Sequence, residues 1–287
     1  MDAANQFNSD ASMLPIHSIH LLKKIGRMRL IVMLASGLLA GTMSASANAA
    51  NVISSTTYID YQLPEKIQDI CNERDNCPKI EAKYLKTNHT WINEITNARI
   101  DYLLVNSKPT ESAPIKTKSS QADVQAALND FVRSQFTDTP EDRQWAYELM
   151  VTPKYLGHVG DVELFEIESY LYTGGAHGMS YSEYLIFDPS AKKQITLDDM
   201  LVAGKKSRFK TLAYDAYQAW VKTFDTNVRS YEKNWPFTLS DNVTLTDKGI
   251  DILYQPYAIG PYASGMPILS VPYSQLDGVI KPRFIPK

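Results

Sequence analysis

The sequence predicts an α+β fold in which an antiparallel β-sheet meander packs against several α-helices. Residues 144–188 alternate apolar and polar side chains, in runs separated by glycine-rich turns at 157–161 and 174–178; this pattern is typical of half-buried strands. Apolar residues recur every three or four positions over 91–103 and 124–136, which indicates amphipathic helices. Helices and strands do not alternate in the βαβ manner, so we expect the strands to pair antiparallel.

A helix cap, a proline and a polar loop mark the ends of four elements in the segment before the meander. Asn88 or Thr90 can cap the first helix, because their side-chain oxygens can accept a hydrogen bond from an unpaired backbone N–H. Pro64 ends the first strand, and a polar loop over 106–120 separates the helices. In chain order we expect a strand at 51–62, an extended segment at 79–86, a helix from 88 to about 103 and a helix at 121–136.

The segment after the meander predicts a second, smaller group of elements. Gly249 suits the turn of a hairpin, because glycine adopts positive φ without strain. In chain order we expect a helix at 206–231, strands at 243–246 and 249–254, a loop at 256–267, a strand at 268–271 and a short helix that starts at Pro272. A soft boundary at 188–195 divides the chain into an amino-terminal subdomain, residues 50–190, and a carboxy-terminal subdomain, residues 191–287.

The amino terminus has the pattern of a secretory signal. Four basic residues between 23 and 29 precede an apolar run at 30–40, and small residues follow as far as Ala49. We therefore expect residues 1–49 to be a signal peptide region that is cleaved near Ala49, and the product to be periplasmic or secreted. The apolar run is shorter than the roughly 20 residues of a membrane span. Met28, directly before Arg29, is the expected translation start.

Charge narrows the range of partners. Residues 50–287 carry 25 basic and 30 acidic side chains, a net charge of −5. Such a chain has little electrostatic attraction for nucleic acid or anionic lipid, and a cationic partner suits it better.

All 17 tyrosines follow residue 50. Tyrosine is common both in strands and on recognition surfaces, so its abundance is compatible with either role.

The two cysteines, Cys71 and Cys77, enclose a short polar segment. In an oxidising compartment such a pair usually forms a disulfide. A loop of this length would stabilise the fold by about 2 kcal/mol in the chain-entropy account. A zinc site would need a second cysteine pair or a nearby histidine, and a redox pair would have C-x-x-C spacing. The sequence therefore predicts a structural disulfide and no metal.

A glycine-rich loop at residues 174–178 is the most unusual local feature. Gly174 and Gly175 precede His177, and a further glycine follows it. Neither a lysine nor a helix follows, as a phosphate loop would need, and no serine forms a nucleophile elbow. Two interpretations stay open: a structural turn whose histidine bonds to the backbone, or a recognition loop. We expect no cofactor.

A second feature, the stretch 254–265 around the loop at 256–267, places tyrosines between glycines and prolines. Such rings can stack on sugar faces or contact a protein partner, although a packed crossover loop has the same composition. The side chains and glycines that we expect to bind a ligand belong to these two loops and to the strands beside the first: Tyr172, Gly174, Gly175, His177, Tyr181, Tyr257 and Tyr262.

Paired carboxylates offer a catalytic alternative. Glu166 and Glu168 share one strand face, and Asp198 and Asp199 are adjacent in the chain. Two carboxylates are the catalytic groups of most glycosidases. The aspartates are better explained as caps of the segment that follows them, so no catalytic residue is assigned.

Six short motifs together resemble one known family. YTGGAHG at 172–178, FD at 187–188 and ITLDD at 195–199 are similar to the central motif of the RsiV-like envelope domains. LTDKG at 245–249, YQPY at 254–257 and PYASG at 261–265 are similar to the carboxy-terminal half of the same family. The resemblance covers most of residues 56–280.

The resemblance implies an envelope binding module. The family includes the lysozyme-binding ectodomain of an anti-sigma factor, and a similar module precedes the catalytic domain of PdaC-type peptidoglycan deacetylases. We therefore expect a non-catalytic protein that binds a lysozyme-like muramidase or peptidoglycan. A sigma-binding segment, a retained membrane span and a deacetylase domain are not expected in this chain. The alternatives are a cell-wall glycan hydrolase or deacetylase-associated enzyme, and an envelope assembly or structural factor with a protein partner.

Overall fold

Helices and strands occur in mixed order along the chain, as the sequence predicts. The computed structural model describes residues 52–74, 76–107, 118–138 and 145–286, so the predicted signal peptide and the start at Met28 lie outside the described residues. The elements in chain order are β1 (Ser54–Tyr58), α1 (Glu65–Arg74), β2 (Lys79–Thr87), α2 (Thr90–Asn106), α3 (Gln121–Asp138), β3 (Glu148–Val159), β4 (Val162–Tyr172), β5 (Met179–Asp188), β6 (Lys193–Ile195), α4 (Leu197–Met200), α5 (Lys206–Val221), α6 (Val228–Asn234), β7 (Val243–Leu245), β8 (Gly249–Leu253) and β9 (Ile268–Pro272).

The larger sheet has six strands in the order β1-β2-β3-β4-β5-β6, and the smaller has the order β7-β8-β9. The predicted meander is confirmed in β3, β4 and β5, which pair antiparallel. One pair departs from the expected antiparallel arrangement: β2 and β3 are parallel, with Ile80 opposite Leu149. Helices α2 and α3 lie between these strands in the chain and supply the long crossover that parallel pairing requires.

Two hydrophobic cores lie on opposite faces of the larger sheet. Phe165 and Ile167 of β4 pack in a core with residues of α2 and α3. Val162 and Leu164 pack instead in a core with Phe209 and other residues of α5 and the smaller sheet. Successive strand residues point to opposite faces, so β4 contributes to both cores. The described residues belong to one compact unit. The subdomain boundary near residue 190 therefore stays a prediction from the sequence.

Side-chain amides join the smaller sheet to the open edge of β5. Asn242 Oδ1 accepts a hydrogen bond from the Tyr184 N–H at 2.8 Å, and Asn242 Nδ2 donates to the Ser182 carbonyl at 2.8 Å. Gln255 Nε2 donates to the same carbonyl at 2.6 Å, and Gln255 Oε1 accepts from the Ser182 N–H at 3.2 Å. These two amides, here called the amide clamp, satisfy backbone groups that no neighbouring strand reaches.

The predicted helix at 206–231 is wrong in its extent, because the chain forms α5 and α6 with a break between them. Asp225 Oδ1 accepts a hydrogen bond from the Asn227 N–H at 2.8 Å, and Asn227 Oδ1 caps α6 through the Ser230 N–H at 3.1 Å. Short polar side chains compete with helix in this way. The predicted helix at Pro272 is a single 3-10 turn, Tyr273–Gln275.

The cysteines differ from the expected arrangement. Cys71 lies in α1, a helix that the sequence analysis missed, and both cysteines are free thiols in the structure rather than the predicted disulfide. Their side chains are hydrogen-bonded, and burial together with this bond raises the pKa of Cys71 to about 12. A bridge between them in the oxidised protein stays a prediction.

Helix α4 begins with a capping box of Thr196 and Asp199, so Asp199 caps its own helix rather than the segment that follows, and Asp198 pairs with Lys206 at 2.9 Å instead. Asp199 Oδ2 accepts from the Thr196 N–H at 3.0 Å, and the Asp199 N–H donates to Thr196 Oγ1 at 3.3 Å. Lys193 Nζ also donates to this carboxylate. These bonds hold the pKa of Asp199 at about 2, below its ordinary value of 3.8, with the lysine as the largest cause.

Replacement of Asp199 by asparagine should lower stability in a pH-dependent way. Because the pKa is depressed in the folded state, the stabilisation is present above about pH 4 and is lost as pH falls toward 2. We expect Asp199→Asn to lower the free energy of unfolding by about 1–2 kcal/mol at pH 7 and by much less at pH 2, measured by urea titration. Asp198→Asn, at an exposed neighbour, is the control and should change stability by less than about 0.5 kcal/mol. Equal losses at both pH values would contradict the assignment.

Removal of the Asn242 amide should weaken the clamp. Asn242→Ala leaves the Tyr184 N–H without its acceptor, so we expect a loss of about 1–3 kcal/mol in the free energy of unfolding. The matched control is Asn234→Ala at the exposed end of α6, with an expected change of less than about 0.5 kcal/mol. Equal stability of the two variants would show that the clamp does not hold the sheets together.

Candidate functional site

The two loops that the sequence singled out lie against each other. The His177 ring stacks on the Tyr262 ring, with centroids 3.6 Å apart and planes 16° apart. The Tyr257 hydroxyl lies 3.4 Å from His177 Nε2, and the rings of Tyr257 and Tyr262 are 5.8 Å apart. These three side chains, with Tyr170 beneath them, are called the aromatic cluster below.

The Gly178 carbonyl ties the two loops together. Tyr262 Oη donates to it at 2.8 Å, and His177 Nδ1 lies 3.0 Å from the same oxygen. Because a carbonyl oxygen only accepts, Nδ1 is the donor in this contact, and in a neutral imidazole Nε2 is then the acceptor for the Tyr257 hydroxyl. A Cβ at Gly178 would lie 2.3 Å from the Tyr170 ring, so only glycine permits this close approach.

The other predicted binding residues at the first loop, Tyr172, Gly174 and Gly175, determine the conformation of its backbone. Gly174 and Gly175 have φ of +94° and +92°, in the region that favours glycine. Tyr172 Oη donates to the Gly175 carbonyl at 3.2 Å and so holds the loop against the end of β4. The loop is thus fixed at both ends, by Tyr172 at one and by Gly178 at the other.

Tyr257 combines backbone strain with exposure. Its φ of +67° is in the left-handed region, which costs a residue with a Cβ about 1–2 kcal/mol. Its side chain is nevertheless 46% exposed, so burial does not explain why a large aromatic residue occupies this position. Strain of this kind is concentrated at functional sites, which makes Tyr257 a candidate for ligand contact.

The chemistry of the aromatic cluster suits binding. Burial, together with the nearby carboxylate of Glu148, raises the pKa of Tyr170, so its hydroxyl stays protonated at neutral pH. Flat ring faces, hydroxyl groups and one imidazole can stack and form hydrogen bonds. Among the residues that the structure describes, no group of three metal-ligating side chains is present. No helix in the described ranges is long and apolar enough to cross a membrane.

Tyr181 lies apart from the aromatic cluster, in contrast to the grouping that the sequence suggested. Its hydroxyl donates to Glu183 Oε2 at 3.0 Å and accepts from Arg99 of α2 at 3.2 Å. Odd-numbered residues of β5 face α2, because side chains alternate along a strand. Tyr181 lines a polar groove of about 510 Å³ beside the amide clamp.

Glu166 and Glu168, the candidate carboxylates of β4, lie on the face of the sheet opposite to Tyr181. Glu166 Oε1 accepts from Ser182 Oγ at 2.6 Å. Burial, with the charges of Glu166, Asp251 and Glu168, raises the pKa of Tyr184 to about 12. This arrangement stabilises a protonated tyrosine.

Sequence reasoning missed Tyr170 and the amide clamp. Tyr170 looks like an ordinary strand residue, and only the register that places it opposite Ser180 brings it beneath the loop. In the sequence, Gln255 stands out only as part of the tyrosine-rich motif YQPY. Its contact with Ser182 joins residues 73 positions apart. A contact of that range leaves no periodic signal in one sequence.

Two solved structures are similar to this chain. One is a DUF3298 family protein from Pseudomonas aeruginosa PAO1, 26% identical in sequence, with a TM-score of 0.58 over 82% of this chain and 95% of that chain. Another is a member of the DUF3298 family from Bacteroides fragilis NCTC 9343, 16% identical, with a TM-score of 0.57 over 81% of this chain and 94% of that chain. No curated protein matches the sequence.

The family comparison covers the whole meander and most of the segment that follows it. The model of DUF3298, described as a protein of unknown function, matches residues 117–274, which are more than half of the chain. This range includes both loops of the aromatic cluster. The chain belongs to the DUF3298 family.

Proposed function

We propose that this protein is an exported, non-catalytic binding protein of the bacterial envelope that recognises a lysozyme-like muramidase or the peptidoglycan that such an enzyme cuts. The observation that carries the proposal is the convergence of two loops, 173–178 and 256–267, on one aromatic cluster with an exposed tyrosine. Both loops contain motifs that resemble RsiV-like domains, and that resemblance supplies the expected ligands.

The rigidity of the aromatic cluster supports a role in recognition. Stacking of His177 on Tyr262 and the two contacts with the Gly178 carbonyl fix the rings before any ligand arrives. A preformed surface loses little conformational entropy on binding. Tyrosine also contributes a large contact area through few rotatable bonds.

Charge supports the muramidase branch, and ring chemistry supports the peptidoglycan branch. A net charge of −5 over residues 50–287 favours association with a cationic enzyme. The exposed face of Tyr257 offers an apolar plane on which a sugar ring can stack. Binding assays with each ligand separate the two branches.

Truncation of Tyr257 should weaken ligand binding without unfolding the protein. We expect Tyr257→Ala to reduce affinity for lysozyme, or for purified sacculi, at least about tenfold, because aromatic residues at the centre of an interface contribute most to binding. Biolayer interferometry measures the first affinity and cosedimentation the second. Tyr58→Ala is the matched control, since Tyr58 is 70% exposed on the edge strand β1.

Two results of these binding assays would contradict the proposal, and a separate result would favour a different function. Equal losses in both variants, or no binding of either ligand at tens of micromolar wild-type protein, would contradict the proposal. Release of soluble fragments from sacculi, abolished by Glu166→Gln or His177→Ala, would instead establish a wall hydrolase.

Export can be tested separately. We expect the periplasmic fraction of expressing cells to contain a protein whose first residue is Ala50 or a near neighbour, because the small residues before it suit signal peptidase. Amino-terminal sequencing identifies this residue. A product that keeps residues 28–49 and sediments with membranes would contradict cleavage.

A further inference from the structure

A second cavity, separate from the aromatic cluster, lies where β2 and β3 begin and β4 ends. It has a volume of about 530 Å³, within the range of about 300–1,000 Å³ for small-molecule sites. Lys79, Glu148 and Tyr172 lie side by side on these three strands and line it. Trp145, three residues before the start of β3, and Asn76 complete this part of the wall.

Trp145 is the feature of this cavity that most needs an explanation. Its side chain is 52% exposed, whereas the three other tryptophans are less exposed. Aromatic side chains that line a cavity together with a few polar ones, as Trp145 and Tyr172 do with Asn76, Lys79 and Glu148, are the usual composition of a ligand site. Packing within the fold does not account for the exposed half of the indole.

We propose that this cavity binds one ring of a glycan chain. A pyranose ring has apolar C–H faces, which stack on aromatic planes such as those of Trp145 and Tyr172. Its hydroxyl groups lie at the edge and need planar or charged hydrogen-bonding partners, which Asn76, Glu148 and Lys79 provide. The Lys79–Glu148 ion pair, 2.7 Å long with the lysine 71% exposed, is accessible at the rim.

The cavity and the aromatic cluster are adjacent in the fold. Tyr172 lines the cavity and bonds to the Gly175 carbonyl, in the loop that carries His177. Tyr172 and His177 are five positions apart in the chain, so their backbones lie at most about 18 Å apart. A glycan of several rings is long enough to span this distance. The choice of a wall glycan as the source of these rings rests on the proposed function.

The test uses the mature protein and a tetramer of β-1,4-linked N-acetylglucosamine, with affinity measured by isothermal titration calorimetry. We expect saturable binding that Trp145→Ala and Tyr172→Ala weaken at least tenfold. Trp145→Phe keeps an aromatic face and should stay within about threefold of wild type. Tyr58→Ala is the control for loss of an exposed ring and should bind as wild type does. Tryptophan fluorescence of the wild-type protein should shift on binding, because Trp145 is the most exposed of the four.

Failure of the cavity and failure of the proposed function give different results. Absence of tetramer binding, or equal affinity in Trp145→Ala, overturns the cavity proposal even when lysozyme or sacculi bind through Tyr257. Tetramer binding that depends on Trp145, in a protein that binds neither lysozyme nor sacculi, supports the cavity and overturns the proposed function. Unchanged thermal unfolding of Trp145→Ala, expected for a half-exposed residue, shows that the loss is not a folding defect.

Discussion

The amide clamp at the open edge of β5 holds the smaller sheet against the larger one and thereby positions both loops of the candidate site. Asn242 and Gln255 bond backbone groups of Ser182 and Tyr184, where β6 is too short to continue the sheet. Ser182 is fully buried, so its carbonyl and N–H need these partners inside the protein. The clamp thus fixes the smaller sheet at one register along β5.

The register of the smaller sheet along β5 also sets the positions of the two loops. Gln255 is two residues before Tyr257, and Ser182 is four residues after Gly178, so one set of hydrogen bonds positions both loops. The stack of His177 on Tyr262 and the bond from Tyr262 to the Gly178 carbonyl then follow over short distances. Loops on a rigid scaffold commonly carry function. Here the scaffold is the shared sheet, whose two faces each support a hydrophobic core.

Local patterns in the sequence predicted most of the helices and strands. Contacts between residues far apart in the chain could not be predicted. Period-two alternation identified the meander, and the 3.6 period identified α2 and α3, since these signals depend on neighbours in the chain. The parallel pairing of β2 with β3, the break at Asn227 and helix α1 were missed. The two loops of the site were found from glycine and tyrosine content alone. Their contact was not, because it joins residues about 80 positions apart. Tyr181 lies beside Arg99 and Glu183 rather than beside the two loops.

In the proposed function, loops 173–178 and 256–267 act as one recognition surface. Hydrogen–deuterium exchange of the mature protein, with and without lysozyme and soluble peptidoglycan fragments, tests whether they do. We expect one of these ligands to slow exchange in both loops together, beyond any change at β1. Slowing in one loop alone, or only at surfaces away from both loops, would show that the two loops do not form a shared surface.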